Sequence, residues 1–482
     1  MEPEQLGLEF LFQPKSIALV GIPSNSANPL VDMFLRPLVE FGFAGELYPV
    51  NPKGSKVLGL EFYPSIKDIP GAVDYVIGAV PARFSHQVTQ DCAAKGVKAI
   101  SFYTAGFSET GEESGAALEA EIVNTARRGG VRVLGPNCMG IYCPKGRLAY
   151  WPDFPKESGP VAYLCQSGGN SIHLVWMGAP RGIRFSKVIS FGNACDLNEA
   201  DFLDYFTYDP DTRIIAAYIE GVKDGRQFLK VLSKAAEAKP VIILKGGRSE
   251  AGTKAAASHT GALTTDDATW DALCKQLGVI QVSSMEELAD VIVTFLFLPP
   301  CGRNVAIVTA GGGVSVLAAD DCESSGLAVP PLPAEIQDQL RHCTTGIGNI
   351  LRNPVDLSDV FFDPQGVANA LRIISSWQGI DLLILPLIGG VPLQSGRRMS
   401  YDVLVDIVPN WGTLPPKPTA IVVQPGTHPD ASQDAFRVQQ EFASAGFPVY
   451  PTMVRAAKAI NKFISYHQRR GQSQQEDRNC KI

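Results

Sequence analysis

The chain has 482 residues, room for about three domains, and is 45% hydrophobic and 19% charged, the balance of an ordinary globular protein. A formal charge of -7 weighs against a nucleic-acid partner, which would need a basic face. The longest apolar run, Val291 to Leu298, falls far below the roughly 20 residues that span a bilayer, and the acidic start Met-Glu-Pro-Glu-Gln has no basic n-region. No membrane and a cytoplasmic setting are therefore expected. The ten cysteines show neither CxxC nor zinc-ligand spacing, which fits thiols in a reducing compartment.

Short β-branched runs alternate with longer amphipathic stretches, the pattern of βαβ units around parallel sheets. In the first unit, residues 8–145, strands are expected at Ser16 to Val20, Tyr75 to Val80, Ala99 to Tyr103 and Val131 to Leu134. Helices are expected at Arg83 to Lys95 and Ser114 to Arg128. Pro144 to Pro160, with four prolines and two glycines, reads as a linker. A second α/β unit, 158–299, has strands at Val161 to Cys165, Val188 to Phe191, Ile214 to Ile219 and Val241 to Leu244. Pro299-Pro300-Cys301-Gly302 marks the next boundary. The third unit, 303–467, has strands at Val305 to Thr309, Asp381 to Pro386 and Ala420 to Gln424, and closes with a helix from Met453 to Tyr466. Residues 468–482 are polar without apolar period and read as a disordered tail. A faint repeat links Val161 to Asn170 with Val305 to Val314: each is a strand, a small-residue turn, then an apolar helix.

The segment Lys245 to Ala262 leaves a buried-looking strand and holds no apolar side chain larger than alanine. It has nothing to anchor it in a core, and its four glycines add backbone freedom, so mobility is expected. Its one aromatic residue is His259. Gly247 and Gly252 have P-loop spacing, but Thr253-Lys254 reverses the required Lys then Ser/Thr, so a triphosphate cradle is excluded. Ser167, Gly168, Gly169 and Asn170 form a strand-to-helix turn that can aim N–H groups at an anion, with Asn170 or Ser171 as the helix cap. Glu220 ends an apolar strand just before a glycine, where it can accept an N–H from an imidazole and fix its tautomer. In the first unit, small polar loops follow successive strands: Gly21 with Ser24, Asn25 and Ser26, then Asn51 to Gly54 with Lys53, then Tyr103 to Phe107, then Gly135 to Cys138. They suit a nucleotide, with Lys53 as a phosphate partner, yet G-x-G-x-x-G is absent and a dinucleotide is not supported.

Taken together, eight segments in order resemble the ADP-forming (NDP-forming) acyl-CoA synthetases, relatives of succinyl-CoA synthetase. They are Tyr48 to Gly54, Ala79 to Ala82, Thr104 to Phe107, Gly135 to Cys138, Gln166 to Gly168, Lys245 to Arg248, Ser258 to Gly261 and Asn353 to Leu357. The resemblance covers Phe12 to Tyr466. It implies an α/β fold with a Rossmann-like CoA-binding domain followed by two flavodoxin-like doubly wound parallel-sheet domains. It implies that Gly21, Ser24, Asn25, Ser26, Lys53, Tyr103, Thr104, Ala105 and Asn137 lie along coenzyme A. Ser167, Gly168, Gly169 and Asn170 would hold the phosphoryl group. His259 would be the phosphorylated histidine, steadied by Glu220. The implied reaction interconverts acyl-CoA, ADP and phosphate with a small carboxylic acid, CoA and ATP, through an acyl phosphate. The family's ATP-grasp domain has no counterpart here, so the resemblance implies a hetero-oligomer with an ATP-grasp beta subunit holding Mg2+ and ADP/ATP. Two turns depart from the family pattern, Thr309-Ala-Gly-Gly-Gly-Val314 and Cys165 with Gly169 around Gln-Ser-Gly.

Other readings make different demands. A non-catalytic CoA-binding regulator, or a transferase paralogue working without phosphohistidine, would be expected to lack His259 or Glu220, and both are present. A nicotinamide dehydrogenase would need the missing glycine fingerprint.

Overall fold

The computed structural model describes residues 7–254, 267–343, 350–358, 363–388, 417–425 and 429–480. The chain divides into two compact units: Met1–Trp176 with Arg184–Leu288, and Met177–Ile183 with Ala289–Ile482.

The first unit contains two sheets. The strands of the first are β1 (Ser16–Val20), β2 (Glu46–Val50), β5 (Tyr75–Gly78), β6 (Ala99–Phe102) and β7 (Arg132–Leu134); a small antiparallel hairpin, β3 (Lys56–Val57) and β4 (Leu60–Glu61), stands apart. Their order is β2-β1-β5-β6-β7, all parallel. Every residue of β1, β5 and β6 is buried, as expected for strands covered by helices on both faces. The chain leaves β1 toward β2 and later returns on the other side to β5, so the order reverses between β1 and β5. Ligands of open α/β sheets bind at such a switch point, beyond the strand carboxyl ends.

The second sheet is built from β8 (Gly140–Tyr142), β9 (Val161–Cys165), β10 (Phe185–Ser190), β11 (Ile214–Ile219), β12 (Val241–Lys245) and β13 (Ile280–Val282). Its order is β13-β12-β11-β9-β10-β8, parallel except for β8, which runs antiparallel along the edge. Here the order reverses between β9 and β11. Strand β8 follows directly on β7 of the first sheet, so the chain passes from one sheet into the other before the proline-rich stretch. That stretch is packed rather than loose: Leu148, Ala149, Tyr150 and Phe154 are buried, and the Tyr142 hydroxyl donates to Pro155 O at 2.6 Å. Apolar side chains between the prolines carry the packing.

The flanking helices start and stop where their sequences direct. Asn198 and Asp201 form a reciprocal capping box on the helix Glu199–Tyr208, and Asp224 caps Gly225–Ala238. Gly96, at φ +75°, ends Ser85–Lys95.

The second unit holds a third parallel sheet, with β14 (Val305–Thr309), β15 (Val355–Asp356), β16 (Leu382–Ile388), β17 (Thr419–Gln424) and β18 (Val449–Tyr450) in the order β15-β14-β16-β17-β18. The helix Gly312–Ser324 follows β14 as Gly168–Gly178 follows β9, so the faint sequence repeat corresponds to one strand–turn–helix device used twice. Asp290, 1% exposed, accepts from Arg181 Nη2 at 2.7 Å and from Arg455 Nε at 2.6 Å. Arg181 also donates to Val449 O, which clamps the edge strand. The last helix runs Met453–Cys480, beyond the expected stop at Tyr466 and through residues read as a tail. No helix among the described residues is long and apolar enough to cross a membrane.

Candidate functional site

The switch points of the first unit's two sheets carry most of the expected ligand residues among those described. At the first sheet, Gly21 leaves β1 at φ +93°, donating its N–H to Val50 O at 3.0 Å. A Cβ there would lie 2.6 Å from Ala79 O, so the close approach of the β1 and β5 loops admits only glycine. Asn51 ties the next loop in, donating to Ile22 O at 3.0 Å while its Oδ1 accepts the Lys53 N–H at 3.0 Å. Ser24, Asn25, Ser26 and Lys53 are exposed along this rim. The Asn25 side chain accepts the Ala27 N–H, and Ser26 O accepts from Arg36. Tyr103 donates its N–H to Gly78 O at 3.0 Å and packs edge-on to Phe34. The Thr104 hydroxyl donates to Val80 O, and Thr104 O accepts the Asn137 N–H at 2.9 Å, with Asn137 in the left-handed region at φ +57°. Ala105 is exposed beside it.

A cavity of about 400 Å³ opens at this edge, lined among others by Gly21, Asn51, Pro52, Ile66, Val80 and Phe84. Of the expected ligand residues only Gly21 lines it. The apolar wall was not singled out because hydrophobic side chains give no chemical signal in a sequence. The available hints were the segments Tyr48 to Gly54, which contains Val50 and Pro52, and Ala79 to Ala82, which contains Val80 and Pro81.

At the second sheet, the helix Gly168–Gly178 begins one turn earlier than the sequence suggests. Ser167 supplies the cap in place of Asn170 or Ser171: its Oγ accepts the Asn170 N–H at 3.3 Å and its O the Ser171 N–H at 3.1 Å. Ser171 instead turns inward, bonded to Gly168 O and to the Tyr150 hydroxyl. Gly168 has no space for a side chain, since a Cβ would meet Met139 Cγ at 2.9 Å, whereas Gly169 faces open space. A helix N-terminus exposed between two glycines offers N–H groups and the positive dipole end to an anion.

Glu220, 5% exposed, sits at the end of β11. Gln166, at the end of β9 and 2% exposed, holds the place of this acid: its Oε1 accepts the N–H of Glu220 at 2.6 Å and of Gly221 at 3.2 Å. The Tyr218 hydroxyl donates to Glu220 Oε1 at 3.0 Å and also meets the Asn170 side chain. Burial, then the charge of Glu220, push the Tyr218 phenol well above its ordinary pKa, so it remains a donor. Lys245 ends β12 buried, its Nζ donating to Glu220 O at 2.9 Å and to Gly246 O. Burial lowers the Lys245 pKa, partly opposed by Asp267 and Glu220. Gly246 packs so closely that a Cβ would meet the Tyr218 hydroxyl at 2.8 Å and Glu220 Cγ at 3.1 Å. His259 lies outside the described residues. The flanks of that stretch converge here, with Arg248 bonded to Asp267 at 3.2 Å and Thr253 to Gly247 O at 2.9 Å.

The first unit therefore presents an apolar cleft ringed by polar loops and, on the adjoining sheet, a helix N-terminus beside a buried acid. The stretch Gly135–Met139 links the two edges: Asn137 bonds Thr104, and Met139 packs on Gly168 while donating its N–H to Ser190 Oγ at 3.0 Å.

Comparison with known proteins identifies two domain families along the chain. A family model described as a CoA binding domain matches residues 15–144, and one described as a succinyl-CoA ligase like flavodoxin domain matches 158–295. The acetate–CoA ligase [ADP-forming] I subunit alpha of Pyrococcus furiosus is 36% identical over 471 residues, spanning 96% of this chain and 98% of that protein. The II subunit alpha of the same organism is 39% identical over 350 residues, spanning 73% of this chain and 76% of its own length. The solved structure of Ca. Korarchaeum cryptofilum dinucleotide forming acetyl-coenzyme A synthetase 1, in complex with phosphate and ADP, superposes with a TM-score of 0.79 at 31% identity. It covers 96% of this chain and 97% of that one.

Proposed function

The chain belongs to the ADP-forming acetate–CoA ligase family, and from that premise we propose how its residues divide the reaction. It is an acid–CoA ligase of the ADP-forming class, with the CoA-binding and flavodoxin-like domains of that family's alpha subunits. CoA lies along the first sheet's edge, its adenine end in the cavity walled by Val80 and Phe84. Lys53, Gly21 and the Ser24, Asn25 and Ser26 rim take its phosphates, while Tyr103, Thr104, Ala105 and Asn137 lead its thiol end toward the second sheet.

Phosphate at the Ser167, Gly168, Gly169 and Asn170 turn attacks the thioester carbonyl. The C–S bond breaks, CoA leaves as thiolate, and an acyl phosphate forms. The helix N-terminus stabilises the phosphoryl charge throughout. A neutral His259 nitrogen then attacks phosphorus, the P–O bond to the acyl group breaks, and the carboxylate departs. Glu220 accepts the remaining ring N–H of His259 and stabilises the positive ring that develops; Tyr218 and Gln166 hold the acid in place. Phosphohistidine next transfers its phosphoryl group to ADP, with the N–P bond breaking as ATP forms. Mg2+ and the nucleotide are held by an ATP-grasp beta subunit, a partner consistent with the alpha-subunit names of the Pyrococcus relatives. The acid is a small carboxylic acid, and the free thiols of the described cysteines suit a cytoplasmic setting.

The observation that carries this reading is the Gln166 bridge. One side chain from the phosphate turn fixes the backbone of the acid, which is bonded in turn by Lys245 at the end of the strand from which the chain departs toward His259. The test is phosphoryl transfer to the purified chain from radiolabelled phosphate and acetyl-CoA with Mg2+. Acid-labile, base-stable label that disappears in His259→Ala is expected. Label of the same size in that variant, or none in the wild type with any acyl-CoA despite CoA binding, would overturn the catalytic assignment.

A further inference from the structure

Asn193 belongs to the segment that follows β10, yet its side chain serves the opposite sheet. Its Nδ2 donates to Glu109 Oε2 at 2.6 Å, to Glu119 Oε2 at 2.9 Å and to Ser108 Oγ at 3.4 Å. Glu109 in turn accepts the N–H groups of Gly106 at 2.5 Å and Phe107 at 3.1 Å, the backbone that follows Tyr103, Thr104 and Ala105. Ser108 Oγ donates to Glu119 at 2.7 Å. Asn193 is 1% exposed and Glu119 is 9% exposed, while Glu109 is half-buried, so a single neutral amide joins a buried carboxyl group to a partly exposed one.

This arrangement has a cost. Among the described residues Asn193 Oδ1 is buried without a partner, and two carboxyl groups converge on one amide. The main chain around Asn193 is equally constrained: its N–H donates to Pro136 O at 3.0 Å, and Cys195 N–H to Gly135 O at 3.0 Å. A Cβ on Gly192 would lie 2.2 Å from Pro136 O. The same segment thus grips both loops, 103–107 by side chain and 135–139 by backbone. A buried orphan acceptor and paired acids persist in a native structure where function requires the geometry they enforce.

We propose that Asn193 is a positioning residue for the thiol end of CoA: through Glu109 it locks the 103–107 loop against the segment after Ser190, whose hydroxyl holds Met139 beside the phosphate turn. The inference rests on the reading of 103–107 as a CoA loop. The carboxylate–amide chain sets where the thioester stands relative to phosphate, and reaction demands that placement be held within a fraction of an ångström. Cys195, a neighbouring titratable group, is kept a neutral thiol by burial, with Glu119 and Asp196 acting in the same direction and Lys223 opposing them.

The test compares wild type, Asn193→Ala, Glu109→Gln and Asn193→Asp by calorimetric CoA binding, with melting temperatures to confirm folding. Labelling by acetyl [32P]phosphate, which needs no CoA, serves as the control. Asn193→Ala and Glu109→Gln are expected to weaken CoA by about tenfold or more while acetyl phosphate still labels the chain as in wild type. Asn193→Asp adds a third carboxylate and should bind CoA worst at neutral pH, recovering as acid protonates the cluster, a response that simple loss of packing would not give. Variants that fold and bind CoA like wild type would overturn the positioning role alone. A wild type that binds no CoA would overturn the loop assignment beneath it.

Discussion

Replacing Gln166 by methionine keeps side-chain length and buried volume but removes the one acceptor that both Glu220 N–H and Gly221 N–H use. Both donors are deeply buried, so each orphaned group costs about 1–3 kcal/mol, or about 2–6 kcal/mol together. An apolar side chain in the same space returns about 1.5–3 kcal/mol. The net loss expected is about 1–3 kcal/mol. In a unit of this size that lowers the melting temperature of the first unit by about 2–5 °C. Differential scanning calorimetry of the chain, read as separate transitions for its two units, measures it. The functional consequence is larger than the stability loss implies, because the Glu220 backbone is released to make new bonds. Phosphohistidine formation should fall by about tenfold or more while CoA affinity stays unchanged. A melting temperature unchanged to within about one degree, with full labelling, would refute the claim that Gln166 holds the acid.

Two further outcomes follow from buried charges. Lys245 has a folded pKa below its unfolded one, so the unfolded chain binds more protons in the window beneath the ordinary lysine value. Its burial therefore weakens the fold while it is charged, and this penalty lifts as pH rises through that window. Urea denaturation from pH 8 to 10.5 should show Lys245→Met gaining on wild type at the low end and losing that advantage at the high end. In the second unit, Asp290→Ala leaves Arg181 without its carboxylate partner in a buried site and should cost about 3–5 kcal/mol. The second transition should fall sharply in calorimetry while CoA binding by the first unit persists.

Strand positions were legible because strands covered on both faces write themselves as continuous β-branched runs, and β1, β9, β11 and β14 match those runs residue for residue. Other features depended on long-range context. Gly140–Tyr142 has no pattern of its own; it became a strand because the edge of the second sheet was there to pair with it. The proline-rich stretch looked like a linker because its prolines outweighed Leu148, Tyr150 and Phe154, whose burial only the fold creates. Glu220 could be found as an acid ending an apolar strand. The role of Gln166 could not, since its partners lie 54 and 55 residues away. Asn193 and Glu109 were missed for the same reason: neither sits in a motif, and their meaning is a meeting 84 residues apart.

On the proposed mechanism, the parts that escaped the sequence share one purpose. A thioester and a phosphate ion react only when two loops on two different sheets hold their cargo within bonding reach, and independent loops would each add their own error to that distance. Backbone bonds across the sheets, from Asn193 and Cys195 to Pro136 and Gly135 and from Leu197 to Val133, remove that freedom, because main-chain partners have no rotamers to lose. On that mechanism the sequence before and after His259 has the opposite requirement. A phosphoryl carrier must leave the site where it was loaded, and Ala255 to Ala262 hold no apolar side chain larger than alanine. On the same mechanism the long-range bonds gather where two substrates must meet, at Gln166 and Asn193, and the chain sets out toward His259 through Gly246 and Gly247. A substitution that anchors that stretch, such as a leucine at Ala256, should therefore slow phosphoryl transfer to ADP more than it slows loading from acyl phosphate, and single-turnover kinetics of the two half-reactions would separate them; equal slowing would show that departure from the site is not the step that the composition of the stretch serves.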